Sequence, residues 1–333
     1  MNAKFHIPDF WKHWELNLNL IDKIKEHPEY FYDGVEIASC YGCFAPALWN
    51  GGRGVFGMTT PTEIASIIKQ FNERSVPIRY TFTNPTLKAS DMKDPFCNHL
   101  CIAANNGFNE IIVNTPVVEA YVREHYPKYP LISSTVKQIE SLDGLLAELE
   151  KDYKYVVLDY NWNNDFERLE QIPRELRSKC EILIDPYCVP HCPRRGEHYR
   201  VLGEAQRSVS KTTGVMGTGH VVPKECQEFK CVNTTYNFYQ IQQYPTFITR
   251  DDLFNTYLRM GFCNFKIEGR VIQKENVLES YIYYMVKPEY RDIVRLELLT
   301  AKPRQTPTVK TAHRRLFNPD GTPTPELAEK LKG

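Results

Sequence analysis

From residue 33 onward, short runs rich in β-formers alternate with stretches of helical periodicity, and they do so eight times. The strand candidates are 34–39, 77–83, 110–114, 131–134, 155–158, 181–184, 245–248 and 262–267. Parallel strands need long crossovers, which helices supply, so eight such units predict an α/β chain closed into a (β/α)8 TIM-like barrel. No dinucleotide-binding fingerprint argues for an open doubly wound sheet instead. No break in the alternation is long enough for a domain boundary. The barrel domain is therefore expected over 1–295, with an N-terminal lead-in, and a proline-rich C-terminal tail over 296–333.

The helices announce their starts. Thr60-Pro61-Thr62-Glu63 reads as N-cap, N1 proline and N3 carboxylate, followed by one apolar stripe of Ile64, Ile67, Ile68 and Phe71. Thr115-Pro116 repeats the start, Leu142, Leu145, Leu146 and Leu149 form another stripe, and Thr249 with Asp252 opens a further helix. A last helix is expected around 277–285.

Of the 333 residues, 42% are apolar, ample for a buried core, and 41 basic residues balance 41 acidic ones. Net charge thus points to neither nucleic acid nor an anionic membrane. The N-terminus has no signal-peptide core and no apolar run reaches the roughly 18 residues of a membrane span, so a cytoplasmic chain without a membrane partner is expected. In that reducing compartment the ten cysteines read as thiols or metal ligands, not a disulfide framework.

Barrels of this type place their sites at the C-terminal ends of the strands. Polar residues stand there in quantity: Cys40, Asn84, Asn114, Ser133 to Thr135, Asp159, Asn161, Asp185, Cys188, Glu268 and Arg270. Helix capping accounts for Thr115 and Thr249. Glu268 and Arg270 differ, because a charged pair closing a core strand is costly to desolvate without a partner or ligand. After the first predicted strand, Trp49-Asn50-Gly51-Gly52-Arg53-Gly54 joins a permissive backbone to a guanidinium able to grip a carboxylate or phosphate. Arg53, Asn84, Asp159 and Arg270 are the candidate substrate-binding residues. Glu268 and His191 are the candidate acid–base groups, with His198 nearby in the same loop.

The connection after the sixth predicted strand, residues 187–244, is longer than one helix requires. It holds Cys188-Val-Pro-His-Cys192-Pro, then Cys226 and Cys231, a set of soft ligands for iron and sulfur in which tetrahedral zinc is the alternative. Cys40 and Cys43 share ligand spacing and are expected on the same face, as a competing pair or the source of one ligand. Cys97 and Cys101, one helical turn apart, read as packing, and Cys180 and Cys263 as inert strand residues. Tyr236, Phe238, Tyr239 and Tyr244 form either a contact surface or the core of their own loop.

The hexapeptide Phe265-Lys266-Ile267-Glu268-Gly269-Arg270 resembles the signature of the collagenase-like peptidase family, the unknown-type peptidase family thirty-two. Ile132-Ser133-Ser134, the cysteines after the sixth strand and Phe247 to Leu253 extend the resemblance over most of 33–290. It implies a barrel and a four-iron four-sulfur cluster, with Cys188 or Cys192 together with Cys226 and Cys231 matching the family's cluster cysteines and Cys40 falling where one branch of the family places a ligand; Cys188, Cys192, Cys226 and Cys231 are the candidate ligand set. It further implies oxygen-independent hydroxylation of an RNA base or a small substrate, with a homologous partner subunit or electron donor. Peptidase activity is the first alternative and a non-enzymatic iron-sulfur partner subunit the second. Against peptidase stands the absence of HExxH and GxSxG segments.

Overall fold

The computed structural model describes residues 1–212, 224–232, 237–270, 272–302 and 304. Eight parallel strands pair in chain order and close on themselves: β1 (Ala3–Pro8), β2 (Val35–Gly42), β3 (Ile78–Phe82), β4 (Glu110–Val113), β5 (Leu131–Ser133), β6 (Tyr155–Val157), β7 (Cys180–Leu183) and β8 (Asn264–Lys266). The (β/α)8 expectation is met, although two of its strands were misplaced. β1 lies in the segment read as a lead-in, and it closes the barrel by pairing with both β2 and β8. The predicted strand 245–248 is not in the sheet. β7 and β8 pair directly, with Glu181 opposite Asn264 and Leu183 opposite Lys266, which leaves no slot between them. That segment is instead pinned beside the barrel, where Asn164 Nδ2 donates to the carbonyls of Pro245 and Phe247 at 2.8 Å each.

The outward faces of the strands are apolar and bury under helices, as Phe5, Ile7, Ile78, Tyr80, Phe82, Ile182 and Ile184 do. The helices begin where the sequence marks them. Pro61–Glu73 (here α1) starts with a complete Thr60–Glu63 capping box, and Pro116–His125 (α2) starts with the Thr115 side chain accepting from Val118 N. Leu142–Leu149 (α3) carries the leucine stripe, Thr249 caps the turn Arg250–Asp252, and a helix spans Lys274–Met285. A further helix, Arg291–Thr300, crosses the boundary placed at 295/296 and buries Val294 and Leu298. The tail beyond it falls almost wholly outside the described residues.

The inward faces are different. Arg79 on β3 reaches across the barrel to Glu181 on β7 (2.5 Å) and also grips Glu110 on β4. Lys266 Nζ donates to the other oxygen of Glu181 at 3.0 Å, and Lys154 closes on Glu110. His6 hydrogen-bonds Ser39 Oγ (2.8 Å) and Asn264 Oδ1 (3.3 Å) in the same layer. Two residues further along the strands, Tyr41, Ile112, Ile132 and Val157 form an apolar layer of their own. This layer lies between most of the charged floor and the C-terminal mouth, with Lys266 reaching past it.

Breaking a buried ion pair from one side costs about 3–5 kcal/mol, because the partner charges stay buried. Arg79→Met is therefore expected to lower the stability measured by urea unfolding by that amount, and a loss below about 1 kcal/mol would contradict the role given to the network. A pH effect follows as well. Burial, then Arg79, lowers the His6 pKa well below its ordinary value, and burial likewise lowers His13. Below about pH 6.5 the unfolded chain binds protons that the folded chain refuses, so stability falls as pH drops from 7 towards 5. His6→Gln should flatten that dependence when midpoints are compared across pH.

Candidate active site

The mouth of the barrel is built from three pieces that the fold brings together. The first is the glycine loop after β2. Gly51 N donates to Thr81 O at 3.2 Å and Asn84 N to Trp49 O at 3.1 Å, so the loop lies flush against the end of β3. A Cβ on Gly51 would fall 2.3 Å from Asn84 N and from Thr83 C, which is backbone and cannot yield. Gly52 then turns with φ +75°, the left-handed region open to glycine.

The second piece is the end of β8. Arg270 is 8% exposed and donates to Asn50 Oδ1 (2.9 Å), Thr81 Oγ1 (2.8 Å) and Gly51 O (2.8 Å), so it holds the glycine loop from beneath. Burial lowers its pKa. Glu268 pairs with Arg53 and accepts from Tyr187 N at 2.9 Å, while its own N–H donates to Asp185 Oδ1 at 2.7 Å. Burial pushes the Asp185 carboxyl well above its ordinary range.

The third is the helix Arg195–Thr212 (α4), which sits in the β7–β8 connection and roofs the mouth. Gln206 clamps Val55 through both N–H (2.9 Å) and carbonyl (3.1 Å), and Asn84 Nδ2 donates to Gly203 O at 3.1 Å. At its N-terminal end Arg195 pairs with Asp159, donates to Thr135 Oγ1 at 3.2 Å, and lies 4.1 Å over the Tyr160 ring. Beneath this roof lies a cavity of about 410 Å³ lined by Arg53, Glu268, Arg270, Lys266, Thr83, Cys188, Arg195, His198 and Cys231, with Tyr41, Tyr160, Tyr187 and Tyr199 among its walls.

Arg53, Glu268 and Arg270 thus reach the cavity as expected, but other expected residues do not. Asn84 is fully buried and its amide is taken up by Leu48 O, Gly203 O and Thr86, so it seats α4 and does not line the cavity. Asp159 stands behind Arg195 and orients it. His191 is exposed, with φ +50° and its backbone N–H given to Asn161 Oδ1, and it does not line the cavity. His198 takes the place expected of it: burial, with Arg53 next, lowers it to about 4, so it stands as a neutral imidazole in the cavity wall. Arg195 and Lys266 were not singled out from the sequence as cavity residues. Arg195 belongs to a run of solvated-looking charges, and only its pairing with Asp159 distinguishes it.

The cysteines divide cleanly. Cys40, Cys43, Cys97, Cys101, Cys180 and Cys263 are buried, and the other four are half-buried. Cys40 accepts from Asn17 Nδ2 at 3.2 Å behind β2, and neither it nor Cys43 lines the cavity, so the expectation that they share the mouth fails. Burial lifts both thiols. Cys188 lies within hydrogen-bond reach of Tyr160 and Cys192, and burial raises it to about 11. Arg194 donates to Lys230 O, next to Cys231, at 2.6 Å. Phe229 stacks on His198 at 5.0 Å and so lays the segment 224–232 over α4. Cys226 faces α4 and donates to Val201 O at 3.0 Å. Among the described residues, no three His, Cys, Asp or Glu side chains converge closely enough to hold a metal ion. The donor chemistry suits a soft-metal or iron-sulfur group. Cys188 and Cys192 are adjacent, and Cys188 and Cys231 both line the cavity.

Of the aromatic group in the same connection, Phe238 is buried against Phe247 and Tyr283 and belongs to the loop's own core, whereas Tyr239 is exposed. Tyr236 lies outside the described residues. No helix among the described residues is long and apolar enough to cross a membrane.

No protein-family model matches the chain, and no curated protein matches it. Among solved structures, one of the U32 peptidase Mk0906 is similar, with a TM-score of 0.49 and 11% sequence identity over 81% of this chain and 94% of that one.

Because a Cβ at Gly51 meets immovable backbone, Gly51→Ala should displace the glycine loop, release Arg270 from Asn50 and Gly51 O, and cost on the order of 2 kcal/mol or more. Thermal unfolding and Trp49 fluorescence would register both effects, and unchanged values in each would refute this account of the loop.

Proposed function

We propose that this chain is an enzyme that modifies an anionic substrate at the C-terminal mouth of its barrel, with an iron-sulfur cluster held at the rim. The observation that carries the proposal is a buried guanidinium without a counter-charge. Arg270 lines the cavity, and among the described residues no carboxylate lies within ion-pair distance of it. A buried cation of this kind is costly unless a ligand completes it. The substrate class suggested by the sequence motif, a small anionic molecule or an RNA base with its phosphate, meets that need, and oxygen-independent hydroxylation is the reaction class the same motif suggests.

The roles assigned to the chain's own residues follow from their neighbours. Arg270 binds the anion. Glu268, oriented by Arg53 and by Tyr187 N, is the carboxylate that accepts or returns a proton, and the neutral His198 imidazole stands across the same cavity as its partner. The Arg195–Asp159 pair keeps the roof helix closed and water out. Cys188, Cys192 and Cys231, joined by Cys226, are the residues that would hold the cluster, which when bound supplies electron transfer or an open iron for the substrate. A peptidase has less support, since His198 makes no hydrogen bond to a serine, threonine or cysteine side chain among the described residues.

Anaerobic isolation tests the cluster. Iron and sulfide should be present in near-equal amounts, with a visible absorption that bleaches on dithionite. Cys188→Ser and Cys226→Ser should each abolish it. A colourless protein with stoichiometric zinc would sink the iron-sulfur reading. In metal-free protein, iodoacetamide should label Cys188, Cys192, Cys226 and Cys231 and spare the six buried cysteines.

A further inference from the structure

One corner of the cavity is built for a particular charge. Three of the cations in its wall already have carboxylate partners: Arg53 has Glu268, Arg195 has Asp159, and Lys266 has Glu181. Arg270 has only neutral acceptors; the buried carboxylate Asp9, whose charge it feels, turns one oxygen towards the N–H groups of Trp11 and Lys12 and forms no ion pair with it. Beside it Thr83 is 2% exposed and lines the same cavity, yet its Oγ1 has no hydrogen-bond partner. A buried hydroxyl left unsatisfied costs free energy that a ligand would recover. Gly52 completes the corner. A Cβ there would come within 3.0 Å of Arg270 Nη2 and 3.9 Å of Thr83 Oγ1, so the missing side chain is what keeps the space between them open.

We infer that Arg270, Thr83 and the bare backbone of Gly52 form a subsite for a single carboxylate, and that Thr83 is a specificity-determining residue of the site. The inference rests on the anionic-substrate part of the proposed function and not on the cluster. The charge selects the ligand. One uncompensated guanidinium balances one negative charge, and Arg270 Nη2, which donates once to Gly51 O, retains a second N–H. A carboxylate takes that donor on one oxygen and the Thr83 hydroxyl on the other. A phosphate dianion would bring a second charge, and besides Arg270 the cavity wall offers it only Lys12, an exposed ammonium whose attraction water screens.

The probes are acetate, its neutral isostere acetamide, and inorganic phosphate. Each is titrated into the full chain and followed through the threonine methyl resonances, with the Thr83 signal identified by its loss in Thr83→Ser. Acetate should shift the Thr83 methyl saturably, while acetamide and phosphate bind at least tenfold more weakly. Thr83→Val, which keeps the shape and removes the hydroxyl, should weaken acetate at least fivefold, read from Thr81, a cavity threonine that the substitution leaves in place. Thr83→Ser should restore it, and Gly52→Ala should abolish it with the unfolding midpoint recorded alongside. Equal binding of acetate and acetamide, or phosphate binding more tightly than acetate, overturns the subsite. So does full acetate affinity in Thr83→Val. The two proposals fail separately. A protein that assembles a cluster but ignores acetate loses the subsite alone, and one that binds acetate through Thr83 but holds no iron loses only the cluster.

Discussion

The structure depends on an ion network sealed inside the barrel. Arg79 spans from β3 to β7, where it meets Glu181, and the same carboxylate takes Lys266 from β8, while Glu110 and Lys154 close the other side. An interior of this kind is under-determined by hydrophobicity, because charges attract across the barrel only when their strands are in the right register. A slip of one residue would carry Arg79 to the outer face among Ile78, Tyr80 and Phe82. The network therefore selects the register as well as neutralising itself. Against the push of burial, Lys266 and Arg79 keep Glu181 ionised well below the ordinary carboxylate range.

That floor also governs the mouth. Lys266 ties β8 to Glu181, with its ammonium 4.1 Å from the Tyr41 ring, and Tyr41 OH donates to Ile267 O at 2.5 Å. The chain leaving β8 is thereby aimed so that Glu268 and Arg270 emerge on opposite sides of the glycine loop. One grips Arg53 and the other grips Asn50 and Gly51. The roof helix then needs only a few fixed points, namely Asp159, Asn84 and Val55, to close the cavity. Cys188 and Cys231 line that cavity, whose lower wall includes Tyr41 and Ile112 of the apolar layer and Lys266 of the floor.

The fold was largely legible because its signals are local. The Thr60–Glu63 box and Thr115-Pro116 act within one turn, and the strand runs are read by their composition. The two strand errors have different causes. Ala3–Pro8 alternates as a strand should, but its inward residues are Lys4 and His6, and polarity on a face that is in fact buried disguises a barrel strand as a lead-in. Residues 245–248 have the composition of a strand, but β7 and β8 already satisfy each other. At the site, Arg270 and Glu268 stood out because two charges follow a core strand. Arg195 and Thr83 did not, since one is ordinary in a basic run and the other is a common strand-end threonine. Asn84 and Asp159 looked like ligand-binding groups, yet their polar atoms meet the chain itself.

By itself the sequence determined the alternation of elements, the helix starts, the barrel, and a set of thiols and charges gathered near its C-terminal face. All of these rest on spacings of a few residues, within which capping, amphipathicity and strand composition operate. The tertiary structure alone decided which of those groups share a cavity. Arg53 meets Glu268 across 215 positions and Arg270 meets Asn50 across 220, and no local pattern records such pairings. Whether a charge is answered or left open is a property of the assembled barrel, because desolvation and Coulomb attraction depend on distance in space and not on position along the chain.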